Sequence, residues 1–201
     1  MDRNTIISII ALGIIFSFAI VIYSDLTRNP NEEIISGTKF ISDSGKPSTQ
    51  LKEFSLRQNF IVSPEFTKQP SPLNAKMTDV ITRFNTVFAY AGKSSTVIAR
   101  TFDSNILVSC YTNEGNYLGG KEITGEECLS QLADPEYLVV KVSAPTGKEA
   151  LVRITGNAIE IMPKDDSEIS SLPHLVLRLM FGQLADTAIN SANIKADALG
   201  K

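Results

Sequence analysis

The spacing of apolar residues changes several times along the chain, and each change marks a different kind of element. From Thr5 to Tyr23, TIISIIALGIIFSFAIVIY, no charge interrupts the apolar run. Its length matches the hydrocarbon core of a bilayer, where a helix satisfies its own backbone groups. The run predicts an N-terminal transmembrane anchor. It is longer than the apolar core of a secretory signal. Its exit, Ile22-Tyr23-Ser24-Asp25, lacks a small-x-small cleavage pattern; Ser17-Phe18-Ala19 has one but lies inside the run, and no cysteine follows to mark a lipoprotein.

The stretch 24–71 shows only short apolar clusters, Ile34-Ile35 and Phe60-Ile61-Val62, among Pro30, Gly37, Gly45, Pro47, Pro64 and Pro70. Such dense punctuation predicts an extended stalk, with edge strands laid on the domain or contact points for a partner as alternatives. A helical period begins at Leu73. Met77, Val80, Ile81, Phe84, Val87 and Phe88 continue one stripe, while Lys76, Asp79, Arg83 and Asn85 take other faces. Ser71 is the expected N-cap, Pro72 the first helical residue and Gly92 the residue that ends the helix with positive φ.

From Thr96 the period drops to two. Thr96–Phe102 and Ile106–Tyr111 predict strands joined at Asp103-Ser104-Asn105, with Cys110 on the core side of the second. Glycines then crowd the stretch Asn113–Gly120, and Thr124-Gly125-Glu126-Glu127 is a capping box for a short helix. Tyr137–Val142 predicts a strand, and 148–155 with 158–162 a hairpin across Gly156-Asn157. A two-residue loop there sets Ile154 opposite Ile159, Val152 opposite Ile161 and Arg153 opposite Glu160. After Pro163, Leu172, Leu175, Val176, Leu179, Met180, Leu184, Ala188 and Ile189 predict a last helix, packed to about Gly182 and weaker beyond, with Pro173 in its first turn.

The expected organisation is a short tail at 1–4, the anchor at 5–23, the stalk at 24–71, a domain at 72–190 and a frayed tail at 191–201. The fold class is α+β, an antiparallel sheet of about five strands packed by helices on one face.

Net charge of −3 and a pI near 5.3 make nucleic acid an unnatural partner for the soluble part. The chain has no Trp, and its scattered aromatics form no stacking platform. In the anchor, Gly13 and Ser17 form a small-x-x-x-small pair that admits a second helix, against the alternative of a plain lipid-facing span. The basic residues flanking the run, Arg3 before it and Arg28 and Lys39 after it, do not decide orientation. An N-terminal hydrophobic segment behaves as a signal anchor, which places the N-terminus in the cytoplasm and the domain outside.

Cys110 and Cys128 are the only cysteines. In an extracytoplasmic domain they predict one disulfide, with inert buried thiols or redox or metal chemistry as alternatives. His174 belongs to no catalytic motif, Asp165-Asp166 lacks the ligand spacing of a calcium loop, and Arg153 with Glu160 is a solvated cross-strand pair. No catalytic residue, cofactor or metal ligand is expected. The segments SCYTNEGNY and TGEECL, within Ser109–Leu132, give the chain a look that resembles uncharacterised single-pass membrane proteins of archaea; the resemblance implies no activity. The expected function is a membrane-anchored extracytoplasmic interaction module, an accessory or assembly subunit of a cell-envelope complex, whose partners are the bilayer and a protein. The rival is a membrane-tethered small-ligand binder or enzyme built on the Gly-rich loop 113–120.

Overall fold

The structure, a computed structural model, describes residues 29–67, 71–101, 107–113, 121–122 and 125–199, together with the isolated positions Ile14 and Ser17, both helical. The rest of the expected anchor lies outside the described residues. Among those described, no helix is long and apolar enough to cross a membrane.

The element order is β1 (Glu32–Ile35), β2 (Thr38–Ser42), α1 (Pro47–Phe54), β3 (Asn59–Phe66), α2 (Pro72–Tyr90), β4 (Ser94–Thr101), β5 (Leu107–Asn113) and β6 (Lys121–Glu122). It continues with α3 (Gly125–Ala133), β7 (Tyr137–Val142), β8 (Leu151–Thr155), β9 (Ala158–Met162), α4 (Glu168–Phe181) and α5 (Gln183–Leu199). All the strands join one sheet in the order β1-β2-β8-β9-β7-β3-β4-β5-β6.

That order corrects the expected sheet. The pairs β2/β8, β9/β7, β7/β3 and β3/β4 are parallel, so the fold is mixed α/β rather than a small antiparallel sheet. Antiparallel hairpins survive at β1/β2, β8/β9 and β4/β5. The β3-α2-β4 passage is a parallel crossover, which needs a helix to return the chain to the same end of the sheet.

The expected stalk is corrected as well. Residues 32–66 supply three strands and a helix, and β3 lies between β7 and β4 near the middle of the sheet. The punctuation that reads as a linker marks turns of a folded unit instead. Pro47 and Pro72 each open a helix, where a missing N–H costs nothing, and Gly37 and Gly45 take positive φ in tight turns. Pro64 falls where the β3/β4 pairing lapses between Val62↔Val97 and Glu65↔Arg100.

One face of the sheet is covered by α1, α2, α4 and α5. Phe60, Val62, Leu138, Val140, Val152, Ile154, Ile159 and Ile161 from the strands meet Phe84, Val87, Phe88, Val176 and Met180 from the helices. The Phe60 ring stacks on Phe88 at 4.1 Å, and Phe181 closes on both. The α2 caps are as the sequence predicts: the Ser71 hydroxyl accepts from the Asn74 N–H, and Gly92 follows the helix with φ +68°. Pro173 is not in the first turn. It lies deeper in α4, where it removes the bond that residue 173 would donate to the Ile169 carbonyl. The expected frayed tail from 191 is helical through Leu199.

Candidate interaction surface

The second face of the sheet is divided. Over β3, β4, β5 and β7 it carries α3, and Ile61, Ile98, Cys110 and Cys128 form a small core there with Leu132, Tyr137 and Val139 against them. The sequence alternatives for the cysteines resolve to the disulfide. Cys110 of β5 is bonded to Cys128 of α3, with Cα atoms 6.3 Å apart, and both are buried. A nine-residue helix over so few apolar contacts gains from a covalent tie, because the link restricts the unfolded chain. Glu126 and Glu127 stand exposed in its first turn, next to the positive end of the helix dipole. Burial, followed by the charges of Asp134, Glu136 and Glu127, pushes the Tyr137 phenol above its ordinary range.

Over β9, β8, β2 and β1 no helix among the described residues covers this face. The register aligns Glu32, Ile41, Arg153, Glu160 and Lys141 in one row across five strands, with Ile34, Lys39, Leu151 and Met162 in the next. The first row carries four charges of alternating sign with Ile41 between the first two, and the second is apolar apart from one lysine. Arg153 meets Glu160 at 3.2 Å, the expected cross-strand pair, and Lys39 meets Glu32 at 3.2 Å. Exposed pairs of this kind are worth about 0–1 kcal/mol, so both cations can exchange partners. The loop from β7 to β8 rises beside these rows and makes a shallow groove of about 650 Å³. Its floor is Ile41, Leu151 and Met162, and its rim is Lys39, Lys148, Arg153 and Glu149. The groove thus combines an apolar floor with a polar, mostly cationic rim.

At the outer edge Glu33 turns to the helix side. Its carboxylate accepts from the Ser48 N–H at 2.9 Å and meets Lys46 at 3.1 Å. Burial pushes its carboxyl up, but the Ser48 and Lys46 contacts outweigh that and hold it below the ordinary carboxylate range.

Tertiary structure also assembles a cluster that the sequence did not announce. His174 Nε2 lies 3.0 Å from Asp186 Oδ1, and the Arg178 Nε donates to Asp186 Oδ2 at 3.2 Å. The first turn of α5 is thereby pinned to α4 across the Gly182 corner. The signal available in sequence was the 174/178 spacing on one helix face followed by an aspartate just past a glycine. His174 Nδ1 is buried without a partner among the described residues, and the Ser171 hydroxyl turns to the Ser167 and Glu168 carbonyls rather than to the ring. Among the described residues no nucleophile is bonded to this histidine, and the His174 and Arg178 contacts to Asp186 clamp the two helices together.

Of the other candidates, Ser17 is helical, whereas Gly13 and residues 114–120 of the Gly-rich loop lie outside the described residues. Among the described residues no group of His, Cys, Asp and Glu is placed to hold a metal ion. Compared with known proteins, the chain matches no family model, no curated protein and no solved structure.

Proposed function

We propose that this chain is a membrane-anchored extracytoplasmic interaction module, an accessory or assembly subunit of a cell-envelope complex, with its N-terminus in the cytoplasm. The observation that carries it is the uncovered half-face. A sheet that covers one side with four helices and half of the other with a disulfide-tied fifth leaves Ile34, Ile41, Leu151 and Met162 among exchangeable charges. Surface of that composition is what a protein partner covers. The Cys110–Cys128 bond supports an oxidising compartment. The apolar run supports the anchor, and only residues 24–31 separate it from β1. At about 3.4 Å per residue that connection reaches no more than about 27 Å, so the partner is itself at or near the membrane.

The test is purification of tagged full-length chain in mild detergent from its native membrane, in parallel for wild type, the double variant Lys148→Glu/Arg153→Glu on the groove rim, and Lys52→Glu on α1. A stoichiometric partner held by wild type and Lys52→Glu, and lost from the rim variant, is the expected result. Recovery of all three alone, or a domain protected from external protease in intact cells, overturns the proposal.

A further inference from the structure

The edge strand β1 is the best-defined unpaired element among the described residues, since β2 is its only neighbour in the sheet. Its hairpin with β2 closes through Ser36 and Gly37, with φ of 52° and 80°, and Ile35↔Thr38 flanks the turn. In an antiparallel ladder the pairs that exchange hydrogen bonds alternate. Counting from the turn, these are Ile35↔Thr38 and Glu33↔Phe40, and the Ser42 N–H donating to the Asn31 carbonyl at 2.8 Å continues the series. The backbone groups of Ile34 and Glu32 therefore face outward. The Glu32 N–H is turned back to the Asn29 carbonyl at 3.0 Å. The Ile34 N–H, the Ile34 carbonyl and the Glu32 carbonyl remain on the edge, beside an open groove of about 390 Å³ lined by Asn29, Glu32, Glu33, Ile34, Lys39 and Glu149.

Short edge strands with charged side chains usually resist pairing. Here each glutamate has a cation beside it, Glu32 the exchangeable Lys39 and Glu33 both Lys46 and the Ser48 N–H. The residue between them, Ile34, is 74% exposed, which is unusual for a β-branched residue in a strand. We propose that β1 is the pairing edge for a second copy of this chain, with the two β1 strands antiparallel and the Ile34 residues meeting on the two-fold axis.

Self-complementarity selects that register. With Ile34 opposite Ile34 of the second copy, the two residues exchange a reciprocal pair of backbone bonds, their side chains touch on the open face, and Glu33 lies opposite Ile35 rather than another carboxylate. Moving the axis to Glu33 sets the two Glu33 side chains against each other. A two-fold contact of one patch with itself is the usual closed form of homo-oligomer. So short an interface is weak between free molecules, but two tethers in one bilayer raise the effective concentration of the edges. That last point rests on the anchored reading; the register does not.

The experiment is oxidative cross-linking of full-length chain carrying Ile34→Cys, in native membranes and in mild detergent, beside Thr146→Cys on the exposed β7–β8 loop. Cα atoms across a hydrogen-bonded antiparallel pair lie about 5.5 Å apart, within reach of a disulfide. A covalent dimer through Ile34→Cys, at least tenfold above Thr146→Cys, is expected in the membrane, with Ile34→Lys reducing the dimer seen by bifunctional cross-linker to a similar degree. Equal, background-level cross-linking of the two cysteine variants, or a dimer unchanged by Ile34→Lys, overturns the pairing. Either result leaves the groove-rim test of the partner untouched, so the two proposals fail separately.

Discussion

Truncating Phe60 separates a stalk from a core strand. In an extended tether Phe60→Ala behaves as a surface change, within about 0.5 kcal/mol. In the structure the ring has no exposure, stacks on Phe88 at 4.1 Å and lies 6.3 Å from Phe181. Buried Phe-to-Ala changes cost about 3–5 kcal/mol, including the cavity left when the surroundings fail to close. Collapse is limited here because α2 and α4, which carry Phe88 and Phe181, also pack on each other and on the rest of the sheet. We therefore expect a loss of about 4 kcal/mol, roughly a thousandfold in the folding equilibrium. The assay is pulse proteolysis of full-length protein in mild detergent across a urea series, with Leu56→Ala as control because Leu56 is 79% exposed just beyond α1. A loss below about 1 kcal/mol, or one equal to that of the control, refutes the placement of β3 in the core.

Replacing both cysteines, Cys110→Ala with Cys128→Ala, removes a link between residues 18 apart and should cost about 3 kcal/mol in the same assay; no change beyond about 0.5 kcal/mol would show that α3 holds to the sheet without it. Glu33 makes stability depend on acid. Because its folded pKa is depressed, its contribution is present above the ordinary value of 4.5 and is lost as pH falls through the folded value. Wild type should thus exceed Glu33→Gln in urea midpoint at pH 6, with the gap narrowing as pH is lowered below 4.5, and a gap that stays constant through acid titration would be evidence against the Ser48 and Lys46 contacts as its cause.

What the sequence alone determines is local. The caps and stripe of α2 follow from residues within about one helix length, and the β8/β9 hairpin follows from Gly156-Asn157 and strict alternation. There the structure returns Ile154↔Ile159, Val152↔Ile161 and Arg153↔Glu160 as predicted. The cysteine pair is legible as a disulfide candidate once the compartment is argued, although its partner surfaces, β5 and α3, are not.

Tertiary structure decides the rest, because parallel pairing joins strands that no turn connects. Asn59 registers with Tyr137 and Lys39 with Leu151, and nothing in either neighbourhood encodes the other. Strands buried on both faces also lose the alternation that identifies a strand, so Phe60-Ile61-Val62 reads as a short cluster when each of its residues is fully buried. The contacts around the candidate surface have the same origin. Ile34 and Ile41 arrive from the segment read as a stalk, Leu151 and Met162 from the hairpin, and only the β2/β8 pairing lays them on one face. Among the described residues this half stays open because four helices lie on the other side and α3 covers only the half over β3, β4, β5 and β7, an outcome of chain path rather than of any residue's own preference.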